Sequence, residues 1–281
     1  MTICDLALYS PETSSGVRTY IENRIRYIRS RSDVEKHVVI VPGTEDQVVV
    51  QHRTKLITVR GIPSFYPGVS LAINIGRIAE IVEREAPDVI EVNCQYTLPW
   101  VAFLATRRRR IPVVGVYHTD VPACARHMVE RAGLPLSNLV EKIVDAYVGL
   151  VYRHFTLTIV LNDGVIRRLN RLGVDRIQRL PCGVDIEIFN PERIDLDFRK
   201  RLSIRSDQKI LLYVGRLSAE KEIDLLLESH SKLPPGEFVL LIAGDGPDKE
   251  AIERYADSHI SVRYLGHFDS PSELASVYAS S

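Results

Sequence analysis

The sequence predicts an α/β protein built as two doubly wound units, and three observations predict it. Short β-rich runs alternate with amphipathic helical stretches along the chain, the alternation breaks once over residues 182–208, and a second strand–helix series follows the break. Strands that alternate with helices need crossover connections, which give a mostly parallel sheet covered on both faces. The pattern predicts one domain over residues 1–181, an interdomain connection over 182–208 and a second, incomplete domain over 209–281. Two such domains facing a cleft are the expected architecture.

The elements follow in order. Residues 3–8, 37–41, 48–50, 56–59, 89–92, 113–117, 157–161 and 177–180 are rich in β-formers and read as strands. Val17, Ile21, Ile25 and Ile28 recur at helical spacing, as do Leu71, Ile75, Ile78 and Ile81. The 182–208 stretch carries Pro191 and mixed charge with little periodicity, so it reads as a connector. Beyond it, strands are expected over 210–214, 238–243 and 260–264, and helices over 223–233, 249–255 and 272–279. Three strands are few for a doubly wound sheet and leave an edge open.

Composition narrows the partners. The chain has 281 residues, 45% hydrophobic, and its 36 Lys and Arg balance its 36 Asp and Glu, so bulk charge predicts no nucleic-acid partner and any anion site must be local. The N-terminus lacks a signal-peptide pattern, and the most apolar stretch, 143–161, contains Asp145, Arg153 and His154, which argues against a membrane span. Four scattered cysteines suit a reducing cytoplasm, with Cys182 expected as a small buried filler. Arg107–Arg110 reads either as a solvated helix end or as a lipid-binding patch, so peripheral contact at the inner membrane face stays open.

The most informative segment runs from Leu211 to Asp224. A strand ends at Gly215, Ser218 is a natural N-cap, and Lys221 stands where a capping box would place Glu or Gln. A lysine in the first helical turn opposes the macrodipole, and such local conflicts gather at functional sites. Arg216 and Lys221 either grip one phosphate-sized anion between them or are solvated surface charges. His118 and Asp120 follow a strand end, where ligands bind in such sheets. His118 is placed to donate a hydrogen bond to a sugar hydroxyl, or is structural, and Asp120 either serves the site or caps the next helix. Gly16 closes a polar loop, 10–16, before the first helix, as an anion-facing turn or an ordinary one.

Val214-Gly215-Arg216-Leu217-Ser218-Ala219-Glu220-Lys221 resembles the signature of the family-four retaining glycosyltransferases, which have the GT-B fold of two Rossmann-like domains. Leu241–Pro247, Tyr264–Phe268 with Gly266, the His118-Thr119-Asp120 triplet and Leu180–Asp185 resemble further segments of that family. The resemblance implies that Arg216 and Lys221 bind the donor diphosphate, that His118 contacts the donor sugar, and that Gly16 and Gly266 lie beside phosphate and base. It implies a nucleoside-diphosphate sugar donor, a hydroxyl acceptor (glycan, glycolipid or small molecule), mannosyl or glucosyl transfer with retention, and no metal or other cofactor. The family's acidic donor motif has no counterpart in this sequence, so doubtful activity is expected. A non-catalytic remnant that binds nucleotide sugar or a partner chain is the alternative, and a GT-B epimerase or phosphorylase a third reading.

Overall fold

The computed structural model describes residues 1–9, 16–64 and 70–281. It divides into two compact units, Met1–Cys182 and Gly183–Ser281. The first contains β1 (Thr2–Ala7), α1 (Gly16–Arg29), β2 (Lys36–Gly43), β3 (Gln47–Gln51), β4 (Thr54–Arg60), β5 (Ile62–Pro63), β6 (Ser70–Leu71) and α2 (Ile75–Glu85). There follow β7 (Val89–Asn93), α3 (Leu98–Ala105), β8 (Val113–Tyr117), α4 (Val121–Arg131), α5 (Ser137–Tyr152), β9 (Leu157–Val160), α6 (Asp163–Arg171) and β10 (Ile177–Arg179).

Eight of these strands form one sheet in the order β10-β9-β8-β7-β1-β2-β4-β3. Its pairs are parallel except β3 with β4 at the edge. The order reverses at β1, so the switch point lies between β1 and β7, where ligands bind beyond the strands' C-terminal ends. The run Val38–Val41 shows why β2 is apolar throughout. Val38 and Ile40 pack into the cluster under α2, α3 and α5, while Val39 and Val41 pack with Ile21 of α1 on the other face.

Residue 71 departs from the expected helix. Leu71 pairs with Ile62 in a short antiparallel hairpin, and α2 starts only at Ile75, where the Asn74 side chain accepts from the Arg77 N–H at 3.0 Å. Asn74 is the better start signal than apolar spacing, because it satisfies an orphan helix N–H.

The second unit contains a short 3-10 turn (Pro191–Arg193), α7 (Phe198–Arg201), β11 (Lys209–Val214), a second 3-10 turn (Ala219–Lys221), α8 (Ile223–Ser231), β12 (Phe238–Ala243), α9 (Lys249–Ser258), β13 (Val262–Gly266) and α10 (Pro271–Ser280). Its three strands are parallel, in the order β11-β12-β13. Along β12, Leu240 and Ile242 face Ile223 and Leu227 of α8 and Ile252 of α9, while Val239 and Leu241 face Phe198, Ile204 and Val277. Residues 183–208 are therefore not a bare connector. They lie in the compact second unit, and Phe198 and Ile204 cover one face of its sheet; a helix of four residues is too short to show periodicity in sequence. Cys182, expected as a buried filler, is exposed, because the chain leaves the first sheet there.

Gly115 in β8 makes room for Phe155, whose ring carbons would lie 2.3 Å from an added Cβ. Phe155 is buried against Phe103 and Tyr152 and has no free space to turn into. Gly115→Ala is expected to destabilise the protein by about 1–3 kcal/mol, the usual cost of overpacking, measured by denaturant unfolding.

Candidate functional site

In the second unit three loops leave the C-terminal ends of the three strands and are locked together by backbone bonds. The Gly215 N–H donates to the Ala243 carbonyl at 3.0 Å, the Leu217 N–H to Asp245 at 2.9 Å and the Asp248 N–H to Leu217 at 3.0 Å. The Gly244 N–H donates to the Gly266 carbonyl at 2.9 Å, which ties in the third loop. Gly244 and Gly246 are required by this closeness. An added Cβ would meet the Gly215 carbonyl oxygen at 1.8 Å and that of Leu217 at 2.2 Å, at φ values of +148° and +157°. These glycines thus serve packing and turn geometry.

Tyr213 and Tyr264 donate their hydroxyls to the carbonyls of Arg216 and Gly244 at 2.9 and 2.8 Å, and Leu217 is fully buried beneath the first loop. The backbone carrying Arg216 is thereby fixed from below, while Lys221 stands exposed on the 3-10 turn that follows. Gly266 adopts φ +79° with open space where a Cβ would be. Its glycine is needed for conformation rather than for a close neighbour.

The structure corrects the local reading around Ser218. Ser218 precedes the 3-10 turn, not the α-helix, and its hydroxyl donates to the Glu220 carboxylate at 2.6 Å instead of capping the backbone. Burial tends to raise the Glu220 pKa, but that hydroxyl bond and the Glu220 backbone bond leave the carboxyl below its ordinary value. Lys221 lies ahead of α8, so it does not oppose that helix's dipole from within its first turn. Pro247 likewise precedes the first turn of α9, whose N-cap is Asp248.

Between the 3-10 turn and α8 stands Glu222, in the left-handed region at φ +51°, ψ +44°. A glutamate there bears a steric cost of about 1 kcal/mol that glycine avoids. Glu222→Gly is expected to leave stability unchanged or raise it by up to about 1 kcal/mol, whereas glycine at an ordinary exposed helical position lowers it. Paired denaturation of this variant and of Glu228→Gly inside α8 measures the difference.

In the first unit the candidate residues gather at the switch point. Asp5 of β1 and Glu91 of β7 are direct neighbours in register, 0% and 5% exposed. Arg24 of α1 lies between them, its guanidinium nitrogens 3.0 Å from Asp5 and 2.8 Å from Glu91. Tyr20, one helical turn earlier, donates to Glu91 at 3.0 Å, and His37 approaches Asp5 at 2.8 Å. Burial and the adjacent Asp5 push the Glu91 carboxyl above its ordinary pKa, and Arg24 works against them.

From Glu91 the polar chain runs to His118. The Asn93 amide donates to Glu91 at 3.2 Å, which turns its oxygen toward His118, whose Nε2 lies 2.7 Å away. Nε2 therefore carries the proton and donates to Asn93, and Nδ1 presents a lone pair. In this tautomer the Nε2 proton is engaged by Asn93 within the protein. Burial lowers the His118 pKa to about 4, and Tyr20 packs edge-on at 4.9 Å between ring centroids.

Asp120 has structural work. It caps α4 by accepting from the Ala123 N–H at 3.1 Å, and both its carboxylate oxygens accept from Arg168 at 2.9 and 3.0 Å. Gly16 is the first residue of α1, exposed, with open space around it. The preceding loop residues 10–15 lie outside the described residues. Sequence reasoning missed Tyr20, Arg24, Glu91 and Asn93. The available signal was Glu91 and Asn93 alternating with Val and Ile in a strand read as buried, where every polar side chain needs a partner.

Two doubly wound units, with polar groups gathered at the C-terminal strand ends, are the architecture of the GT-B fold. Residues 14–188 match "Glycosyltransferase Family 4" and residues 195–281 match "Glycosyl transferases group 1". The chain belongs to glycosyltransferase family 4. It is 28% identical to the sulfoquinovosyl transferase SQD2 of Arabidopsis thaliana, over 95% of this chain and 51% of that protein. It is 25% identical to an alpha-monoglucosyldiacylglycerol synthase of Streptococcus pneumoniae, over 96% of this chain and 62% of that protein. The chain thus spans about half to three-fifths of the length of these relatives. Among solved structures it resembles the sucrose-phosphate synthase of Thermosynechococcus elongatus, with TM-score 0.73, 18% identity and coverage of 99% of this chain and 73% of that one.

Two predictions follow from the first unit's polar chain. Arg24→Met leaves Asp5 and Glu91 facing each other uncompensated and is expected to cost about 3–5 kcal/mol, read by denaturant unfolding. The His118 pKa is depressed from 6.5 to about 4, so the unfolded chain binds a proton that the folded one does not. This contribution to stability is full above pH 6.5 and is lost as pH falls toward 4. His118→Gln is expected to flatten the fall of stability over that window, followed by thermal melts.

Proposed function

We propose that the protein serves transfer of a hexose, glucose- or mannose-like, from a nucleoside-diphosphate sugar to a hydroxyl acceptor with retention at the anomeric carbon. The observation that carries this reading is the interlocked set of loops on the second unit's strand ends, which holds the Arg216 backbone rigid and sets Lys221 on the next turn. Two cations there neutralise the diphosphate as it departs, which is the main electrostatic demand of the reaction and one that needs no metal. The acceptor hydroxyl attacks the anomeric carbon from the face that the diphosphate leaves, the electron pair of the broken C–O bond passes to the diphosphate oxygen, and that oxygen takes up the proton that the hydroxyl gives up.

His118, neutral and with Nδ1 as acceptor, holds a donor-sugar hydroxyl. Gly16, at the start of α1, offers backbone N–H groups toward an anion, and Gly266 lets the nucleotide base lie against the chain. The Streptococcus pneumoniae relative is named for a diacylglycerol product, which supports a glycolipid acceptor and peripheral contact with a membrane. Among the described residues no helix is long and apolar enough to cross one.

Titration with UDP, GDP and ADP tests the reading. One of them is expected to raise the melting temperature by about 5 °C or more at a hundredfold excess over its Kd, because it binds only the folded state. Arg216→Ala and Lys221→Ala are each expected to abolish the shift while melting cooperatively. A cooperative melt that no nucleotide moves removes the donor site from this chain.

A further inference from the structure

The helix α5 carries an apolar stripe that no other part of the described chain covers. Leu139, Ile143 and Leu150 are 54%, 60% and 45% exposed, and Ala146 between them is also exposed. At 100° per residue these four side chains fall within an arc of about 60°, along a helix about 24 Å long. The turn before α5 extends the stripe with Leu134 and Leu136, each about half exposed. An apolar patch of this continuity is unusual on a monomer and marks an interaction surface.

The charges around the stripe decide what it meets. Lys142 and Arg153 flank it and are exposed, and Arg153 keeps its guanidinium on its own helix by donating to the Gly149 carbonyl at 3.0 Å. Both acids of α5 lie on the opposite side of the helix. Arg168 of α6 holds Glu141 at 3.0 Å and Asp145 at 2.7 Å, so neither carboxylate faces outward with the leucines. Beyond the C-terminal end of α5, Thr156 pairs with Val113 through two bonds of 2.8 and 3.1 Å. That pairing sets the exposed run Arg107–Arg110, which ends three residues before Val113, at the same sheet edge. Arg108 and Arg109 share a surface hollow with Glu80 and Glu83 of α2, and Arg84 adds a further cation. Apolar side chains bordered by cations, with the carboxylates of α5 turned inward, complement an anionic lipid surface.

We infer that α5 and the turn before it lie flat in the interface of an anionic bilayer, with Leu139, Ile143 and Leu150 among the acyl chains and Lys142, Arg153 and Arg107–Arg110 at the phosphates. This deepens the peripheral-membrane part of the proposed function by naming the surface, and it does not depend on the donor site. The N-terminal end of α5 lies on the edge of the sheet where β8 delivers His118, because a helix returning to a parallel strand starts beside the C-terminal strand ends. Docking through this helix therefore brings the strand-end site toward the lipid headgroups.

The test is co-sedimentation of the whole chain with vesicles of phosphatidylglycerol and phosphatidylcholine, against phosphatidylcholine alone. The chain is expected to bind the anionic vesicles, to be released by added salt, and to lose about tenfold or more in affinity in L139Q/I143Q with an unchanged melting temperature. In I143W, brominated acyl chains are expected to quench the new fluorescence. No vesicle binding by the natural sequence overturns both the peripheral reading and this surface. Binding that survives the double substitution, or no quenching in bound I143W, overturns the surface alone. A homodimer that the double substitution dissociates assigns the stripe to a second copy and overturns the lipid assignment. The nucleotide melts report the donor site separately, so its failure is not confused with any of these.

Discussion

The first unit is organised around two carboxylates that its sheet forces together. Asp5 and Glu91 are paired residues of adjacent strands at the switch point, both buried, and like charges directly opposite on a sheet repel. Arg24 answers both, and because it sits on α1 the same contacts fix that helix against the sheet. With α1 held, Tyr20 reaches Glu91 and packs on His118, and Glu91 in turn orients the Asn93 amide that sets the His118 tautomer. One buried ion-pair cluster thereby holds a helix against the sheet and sets which His118 nitrogen is engaged by Asn93. Such clusters add little net stability compared with apolar packing, and are kept where they specify geometry.

The second unit reaches the same end by backbone means. Its loops are held by N–H to carbonyl bonds and by glycines too close to neighbouring carbonyls to carry a side chain. Rigid backbone under Arg216 would lower the ordering cost of the anion contact proposed for it, since the loop is already in place. The left-handed Glu222 fits the same picture. The chain turns sharply there to start α8 immediately after Lys221, and a strained residue is tolerated where the surrounding bonds fix the turn.

Much of the fold was legible in the sequence, for a physical reason. Strands covered on both faces must be apolar throughout, and helices that pack on a sheet must be apolar every three to four residues, so β2, β12 and α1 announce themselves. The misreadings came where short-range signals compete. Leu71 fits a helical period but pairs in a hairpin, and Phe198 lies in a helix too short to have a period. In the candidate site, Arg216, Lys221 and His118 were visible through their motifs. Their supports were not, because Arg24 and Glu91 are 67 residues apart and meet only through the sheet order.

The sequence by itself determined the class of fold, the family and the chemical groups at the strand ends, since these follow from local pattern and from short motifs of consecutive residues. Tertiary structure alone decided the rest. It engaged the His118 Nε2 with Asn93, gave Asp120 to a helix cap and to Arg168, moved Lys221 out of the helix, and drew the acids of α5 inward while its leucines stayed exposed. Each of these depends on which distant side chain stands within about 3 Å, and hydrogen bonds and ion pairs act only at that range.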